Sequence, residues 1–257
     1  MTARISTGLR NFLAESGSVK DALHGGKIYV YSGSQPTTAD AAPTGTLLCI
    51  FTDASGAHTN EVAATGTVTL TGGGSGSVNS LTVDGIALLD AAVNFNTSLT
   101  QTAADVVTAI NATQSNPDYI ASSSGAVITI TARRGTGAEA NGLVVASTTT
   151  TITKTDVNMS GGVSSANGLK FQQSASGILS KLASQTWSGV ASATGTAGWF
   201  RFVGPIADTE ALDSAGTQIR LDGAVSTSGQ QLNFSSTSFT VSGTQTITSF
   251  DITVPAS

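Results

Sequence analysis

From residue 198 to residue 254 apolar and polar residues alternate in a succession of short runs. Trp199, Arg201 and Val203 alternate with Phe200 and Phe202, and Ile219, Leu221 and Val225 with Arg220, Asp222 and Ala224. Leu232 and Phe234 stand among Gln231, Asn233 and Ser235, and Phe239 and Val241 among Ser238, Thr240 and Ser242. Phe250, Ile252 and Val254 stand among Ser249, Asp251 and Thr253. A period of two sends alternate side chains to opposite faces of a sheet. Gly204-Pro205, Gly223, Ser228-Gly229 and Ser242-Gly243 punctuate the runs as turns. The pattern predicts a wall of strands with an apolar inner face and an outer face of Ser, Thr, Asn and Gln.

Upstream, residues 27–32 read as a strand with Ile28 and Val30 on one face and Tyr29 and Tyr31 on the other. Residues 46–52 read as a buried strand. Before them, Ser6 or Thr7 can cap a short helix carrying Leu9, Phe12 and Leu13, stopped at Gly17. Ser18 can cap a second, with Asp21 in capping-box position and Gly25-Gly26 ending it. Helices this short need something to pack on.

Between residues 63 and 162 bulky aromatics almost vanish and Thr, Ser, Gly and Ala dominate. Residues 65–70 predict a strand, and Leu81, Val83 and Ile86 another, broken by the hairpin dipeptide Asp84-Gly85. Residues 102–113 predict a helix capped by Thr102, with Ala103, Val106, Val107 and Ile110 on one face. Residues 119–122, 127–132, 143–146 and 148–154 predict further strands. Past Gly161-Gly162 the aromatic-richer composition returns: 169–171 reads as a strand, and Ile178, Leu179 and Leu182 as one face of a helical turn. The economical organisation is a mainly β fold. A β-sandwich-like host with short N-terminal helices, built from residues 1–62 and 165–257, is interrupted by a small α+β insert over 63–164, because surface loops tolerate insertions. Three consecutive small modules are the alternative.

Composition sharpens this picture. The chain has 257 residues, of which 11% are charged, with a net charge of −5. That charged share is about half the usual one, which suits an all-β protein whose surfaces neighbours cover. The nearest thing to a cationic run is Arg133-Arg134, so direct nucleic-acid binding is not expected. The start at Met1-Thr2-Ala3-Arg4 lacks a signal peptide's apolar stretch, and no run reaches the length of a membrane helix. Synthesis and solubility in the cytoplasm, with no membrane partner, are the expectation.

Candidate chemistry is sparse. Cys49, in a predicted strand, excludes an internal disulfide because it has no second cysteine, and reads as a small core residue. His24 precedes a helix stop and His58 sits in a polar turn; neither has a companion at metal spacing. Gly72-Gly73-Gly74-Ser75-Gly76 lacks the Lys-Ser/Thr ending of a phosphate loop. Asp84, Asp90, Asp105, Asp118, Asp208, Asp213 and Asp222 lack calcium-loop spacing and read as turn and cap residues. Glu210 and Asp213 read as a solvated pair on an exposed connection over 207–216. Ser174-Ala175-Ser176-Gly177 is no nucleophile elbow. Arg201 shares a face with Trp199 and is expected to stack on Trp199 or Trp187, in a contact within the domain or between subunits. No catalytic, cofactor-binding or metal-ligating set is expected.

Two groups of motifs carry a resemblance. Residues 5–11 (Ile-Ser-Thr-Gly-Leu-Arg-Asn), 26–33 (Gly-Lys-Ile-Tyr-Val-Tyr-Ser-Gly) with Pro36 and Ala39-Asp40-Ala41, Trp187-Ser188-Gly189, residues 197–203, 232–236 and 245–250 resemble, in that order, tailed-bacteriophage structural proteins. Residues 80–85, 104–112 and 125–131 resemble the insert modules of flagellin- and hook-associated proteins, which project from an assembled shell or tube. The resemblance implies a non-enzymatic virion protein assembled in the bacterial cytoplasm. Its first expected place is a capsid decoration or minor capsid protein that forms a homo-oligomer, a trimer by expectation, on the major capsid protein. A tail component (tube, collar or fibre-attachment subunit) is the alternative. A carbohydrate-binding adhesin is a third reading, against which the expected Ser, Thr and Asn faces weigh.

Overall fold

The computed structural model describes residues 3–15 and 17–253; Met1, Thr2 and Val254, which enter the readings above, lie outside them. The protein is mainly β, with antiparallel sheets in a sandwich-like arrangement and few helices. It divides into two compact units, one made of Met1–Glu61 and Ser165–Ser257 and the other of Val62–Ser164.

In chain order, the first unit begins with β1 (Arg4–Ile5), α1 (Thr7–Glu15), α2 (Val19–Leu23), β2 (Lys27–Ser32) and β3 (Leu47–Asp53). The second unit contributes β4 (Thr65–Gly72), β5 (Ser77–Val83), β6 (Ile86–Ala87), β7 (Val93–Asn94), α3 (Leu99–Ala112), β8 (Ile120–Ser124), β9 (Val127–Thr131), β10 (Val145–Thr150) and β11 (Thr153–Ser160). The first unit resumes with β12 (Ile178–Ser180), β13 (Trp187–Val190), β14 (Gly195–Val203), β15 (Arg220–Ser226), β16 (Leu232–Asn233), β17 (Ser238–Phe239), β18 (Thr244–Ile247) and β19 (Asp251–Thr253).

The first unit is organised on one sheet in the order β1-β15-β14-β2-β3-β13-β18, with β16 beside β15 and β17 beside β14. Phe200 and Phe202 of β14 lie opposite Val30 and Ile28 of β2, and Phe202 lies opposite Leu221 of β15. All point into the main core. There Phe171, Trp187, Phe200, Phe202 and Phe250 meet ring on ring, with Trp187 edge-on to Phe171 at 5.5 Å between centroids. Leu9 and Phe12 of α1 and Ala22 and Leu23 of α2 close the same core. The capping box at Ser18 is complete: Ser18 Oγ accepts from Asp21 N–H, and the Asp21 carboxylate accepts from Ser18 N–H. Ser6 Oγ accepts from Leu9 N–H at the start of α1.

Two readings are corrected here. Ile178, Leu179 and Leu182 form no helical turn: residues 178–180 are β12, which pairs with β19 (Leu179 opposite Ile252). And the expected outer face of small polar residues holds only in part: from residue 231 to 251 Leu232, Phe234, Phe239 and Phe250 are buried while Asn233, Ser235, Ser238 and Thr240 are exposed, but the second face of the sheet at β14 and β15 is not such a face. Across β14 and β15 both faces are buried.

The second unit holds two four-stranded sheets, β10-β5-β6 with β7 beside β5, and β11-β4-β9-β8. Their apolar faces share a core with Ala103, Val106 and Ile110 of α3. The helix starts one turn earlier than the expected cap at Thr102, with Leu99 extending the apolar face of Ala103, Val106 and Ile110. Ser98 is the cap, accepting from Gln101 N–H at 3.1 Å, while Thr102 is buried inside the first turn and donates to Ser98 O. The β5–β6 turn places Asp84 at φ 49° and Gly85 at φ 81°, the left-handed pair that a tight hairpin requires. Side chains close the strand edges of this unit at β8 and β10. Asn111 of α3 donates to Ala121 O at 3.0 Å and accepts from Ala121 N–H at 2.7 Å, standing in for a strand beside β8. Asp156 and Asn158 of β11 likewise accept from the N–H groups of Ser147 and Val145 of β10.

Candidate functional site

The chemistry of the first unit is concentrated on the second face of its large sheet. The alternation that sends Phe200 and Phe202 inward sends Trp199, Arg201 and Val203 of β14 to this face, together with Tyr29 and Tyr31 of β2 and Arg220 and Asp222 of β15. Tyr31 lies opposite Trp199, and Arg201 opposite both Tyr29 and Asp222. The rings of Tyr31 and Trp199 stack at 4.6 Å with 13° between planes, and the Arg201 guanidinium lies 5.5 Å from the Trp199 ring. Trp187 is on the opposite face, in the main core, so of the two stacking partners expected for Arg201 the structure selects Trp199.

Arg201 and Asp222 are both fully buried and form a two-pronged pair, Nε to Oδ1 and Nη2 to Oδ2, each at 2.8 Å. Beside it Arg220 donates through Nε and Nη2 to the Asp208 carboxylate at 2.7 and 2.6 Å. Arg220 also reaches the carbonyls of Ala39, Asp40 and Ala211. Tyr31 O–H donates to Glu210 Oε2 at 2.9 Å, and the same oxygen lies 3.9 Å from Arg201 Nη1. Ionised partners strengthen such bonds, and two-pronged arginine–carboxylate pairs fix geometry as well.

Two straps are thereby tied over the face. The one carrying Asp208 and Glu210 is not simply an exposed connection. Its Ala207, Thr209 and Leu212 face solvent while the two acids turn inward, with Glu210 at a left-handed φ of 61°. Asp213 does not pair with Glu210; it accepts from Gln218 N–H and its own N–H donates to Asp40 O. The other strap includes Asp40, whose carboxylate accepts from Thr7 N–H and Oγ1–H, and Thr44, whose carbonyl accepts from Trp199 Nε1–H. Arg4 donates to the Pro36 carbonyl. The reading of Asp222 as a turn or cap residue is corrected, since it is the buried partner of Arg201; Asp208 does serve its turn, accepting from Glu210 N–H at 2.8 Å, and also holds Arg220.

Burial governs the protonation of these groups. It raises the Glu210 carboxyl above its ordinary value, against the opposing pull of Arg201. It also raises Asp222 against the Arg201 hydrogen bonds, and raises both tyrosines. Arg201 Nη1 and Glu210 Oε1 make no hydrogen bond within the described residues. The arrangement can hold chain segments together and keep the face dry. Its carboxylates are engaged with guanidinium and phenol groups, and its arginines are sealed from solvent.

The other candidates lie apart. Cys49 is buried in the main core, where burial pushes its thiol up to about 12. His24 caps the end of α2, and His58 Nε2 lies 3.0 Å from Gly25 O, its imidazolium form disfavoured by burial. Gly72 closes β4, and Gly73, Gly74, Ser75 and Gly76 make the β4–β5 connection. Gly76 sits at φ 99°, where a Cβ would lie 1.9 Å from Thr150 O. Ser176 and Gly177 form a two-residue left-handed turn. Asp105 accepts from Asn96 and Gln101, which lowers its carboxyl, and Asp90 accepts from Thr113. Arg133 and Arg134 follow β9 in a loop. Among the described residues no three His, Cys, Asp or Glu side chains are placed to hold a metal ion, and no helix is long and apolar enough to cross a membrane. Compared with known protein families and with curated proteins, the chain matches none.

Proposed function

We propose that the protein is a non-enzymatic structural component of a tailed-bacteriophage virion, a capsid decoration or minor capsid protein that self-associates and docks on the major capsid protein. What supports this reading is the filled second face of the large sheet. A sheet face is where a sandwich would offer a ligand groove. Here Tyr29, Tyr31, Trp199 and two buried arginine–carboxylate pairs occupy it and tie the straps down. Residues that would be reactive elsewhere act as internal fastenings, which suits a rigid body repeated on a lattice. The low charged share of the chain fits surfaces shared with neighbours, and the ordered motifs of the first unit resemble phage structural proteins. Assembly takes place in the bacterial cytoplasm and the particle is the destination.

Quantitative mass spectrometry of purified particles, with side-chain-resolution imaging of the same particles, tests this. Copies in fixed proportion to the major capsid protein, at regular lattice points, support decoration. Density only below the portal moves the protein to the tail. Absence from purified particles overturns the reading.

A further inference from the structure

The two edges of the large sheet are treated differently. At one, β15 is flanked by the two-residue strands β1 and β16, and Arg4 stands on β1. At the other, β18 pairs with β13 on one side and has no strand on its other side among the described residues. Proteins blunt such edges with charge, proline, bulges or a covering group. The second unit follows that rule through Asn111, Asp156 and Asn158. Along β18 and its flanks, residues 240–249 contain no charged residue and no proline, and the β13–β18 register runs without a bulge.

The direction of the free groups follows from the pairing. Ala191 N–H donates to Gly243 O at 2.9 Å, so Gly243 is bonded toward the β13 side. Antiparallel ladders alternate, so Gln245 and Ile247 also turn their backbone groups to β13, and Thr244 and Thr246 present theirs outward. The side chains of Thr244, Thr246 and Thr248 are exposed, while Ile247 is buried. Threonines thus alternate with Gln245 and Ile247, and the run is close to symmetric about Thr246. Val190, opposite Thr244 and half exposed, extends the threonine side with an apolar residue.

We infer that β18 pairs antiparallel with β18 of a second copy of this chain, about a twofold axis through Thr246. In that register Thr246 faces its own counterpart, and Thr244 and Thr248 face each other across the seam. β-Branched threonine pairs are favourable neighbours on a sheet. Gln245 lies opposite Ile247 on the other side of the sheet, and no like charges meet. A twofold contact uses one patch on both copies and closes on itself. It yields a dimer, not the trimer expected from the sequence. The inference gives a surface to the self-association in the proposed function and rests on that part of it.

Sedimentation of the full chain at high micromolar concentration is the test. The wild type is expected at twice the monomer mass of 25.6 kDa, and Thr246→Val also as a dimer. Thr246→Pro removes an outward N–H, which an edge strand tolerates. Thr246→Lys sets two charges against each other across the axis. Both are expected as monomers, the dimer dissociation constant rising by roughly tenfold or more, with thermal midpoints matching the wild type at dilutions where the wild type too is monomeric. If Thr246→Pro fails to fold, Thr246→Lys decides alone. A monomeric wild type, or a Thr246→Lys variant that dimerises like the wild type, overturns the inference. Particle composition separates the two proposals. A monomer still present in purified particles removes only this seam, and a dimer absent from them removes only the virion role.

Discussion

Replacing Asp222 by alanine leaves the Arg201 guanidinium charged, fully buried and without its two-pronged partner. The two lost bonds, each at 2.8 Å, involve charged groups worth about 1.5–3 kcal/mol apiece. Breaking one side of a buried ion pair costs about 3–5 kcal/mol. Stacking on Trp199 cannot replace a counter-charge, and Glu210 Oε2 is already 3.9 Å away and bonded to Tyr31. A loss of about 4 kcal/mol in the first unit follows, which for a unit of this size lowers its midpoint by roughly 8–16 °C. Both tryptophans, Trp187 and Trp199, lie in the first unit, so tryptophan fluorescence in urea reads that unit alone. The companion variant Arg201→Met with Asp222→Leu removes both charges and keeps apolar volume. It is expected to recover most of the loss, because an apolar pair avoids the desolvation that a lone charge suffers. A loss below about 1 kcal/mol for Asp222→Ala, the surface ion-pair range, would refute the assignment of this pair as a buried fastening. So would a double variant no more stable than the single one.

Two further outcomes follow from the same structure. The Glu210 carboxyl is raised by burial above its ordinary 4.5, so the folded state holds this proton more tightly than the unfolded chain does. The contribution is fully present below about pH 4.5 and is lost as pH rises through the raised folded value. Glu210→Gln is expected to flatten that part of the stability profile, measured as urea midpoints across the acid-to-neutral range; an unchanged slope would count against it. In the second unit, Asn111→Ala removes both bonds to the Ala121 backbone. It is expected to cost about 1–2 kcal/mol and to speed hydrogen exchange at the Ala121 amide, and unchanged exchange there would show that the side chain does not stand in for a strand.

What alternation could reveal was the pairing partner of each face, not whether the face is covered. β2 is readable residue by residue because Ile28 and Val30 alternate with Tyr29 and Tyr31. The same rule in β15 placed Arg220 and Asp222 on one face, but it does not show what covers that face, and Asp222 on its own reads as a turn or cap residue. Their cover comes from Asp208 and Glu210, in a strap without periodicity and with a left-handed residue in it. No local pattern links those acids to arginines on other segments. The start of α3 did carry a signal: Ser98 and Gln101 have capping-box spacing, and Leu99, four residues before Ala103, lies on the same apolar face and packs against the same core; Thr102, itself a residue type that caps helices, draws the expected start one turn too late. Ile178, Leu179 and Leu182 fit one helical face, and only the long-range partner β19 makes a strand of them. β18 has a single buried apolar residue, Ile247, in a run of Thr and Gln, too little contrast for periodicity to register.

The fastenings of the first unit reach far along the chain. Ser6 Oγ bonds Gln218 O across 212 positions, and Tyr31 bonds Glu210 across 179. A ribosome adds residues at about 5–20 per second, so the early strands wait many seconds for their counterparts. Val62–Ser164, continuous in sequence, has all its partners first. During synthesis the later-starting body is therefore complete while the earlier one is still half made, and Ile28, Val30, Leu48 and Phe51 remain exposed to chaperones until the closing segment emerges.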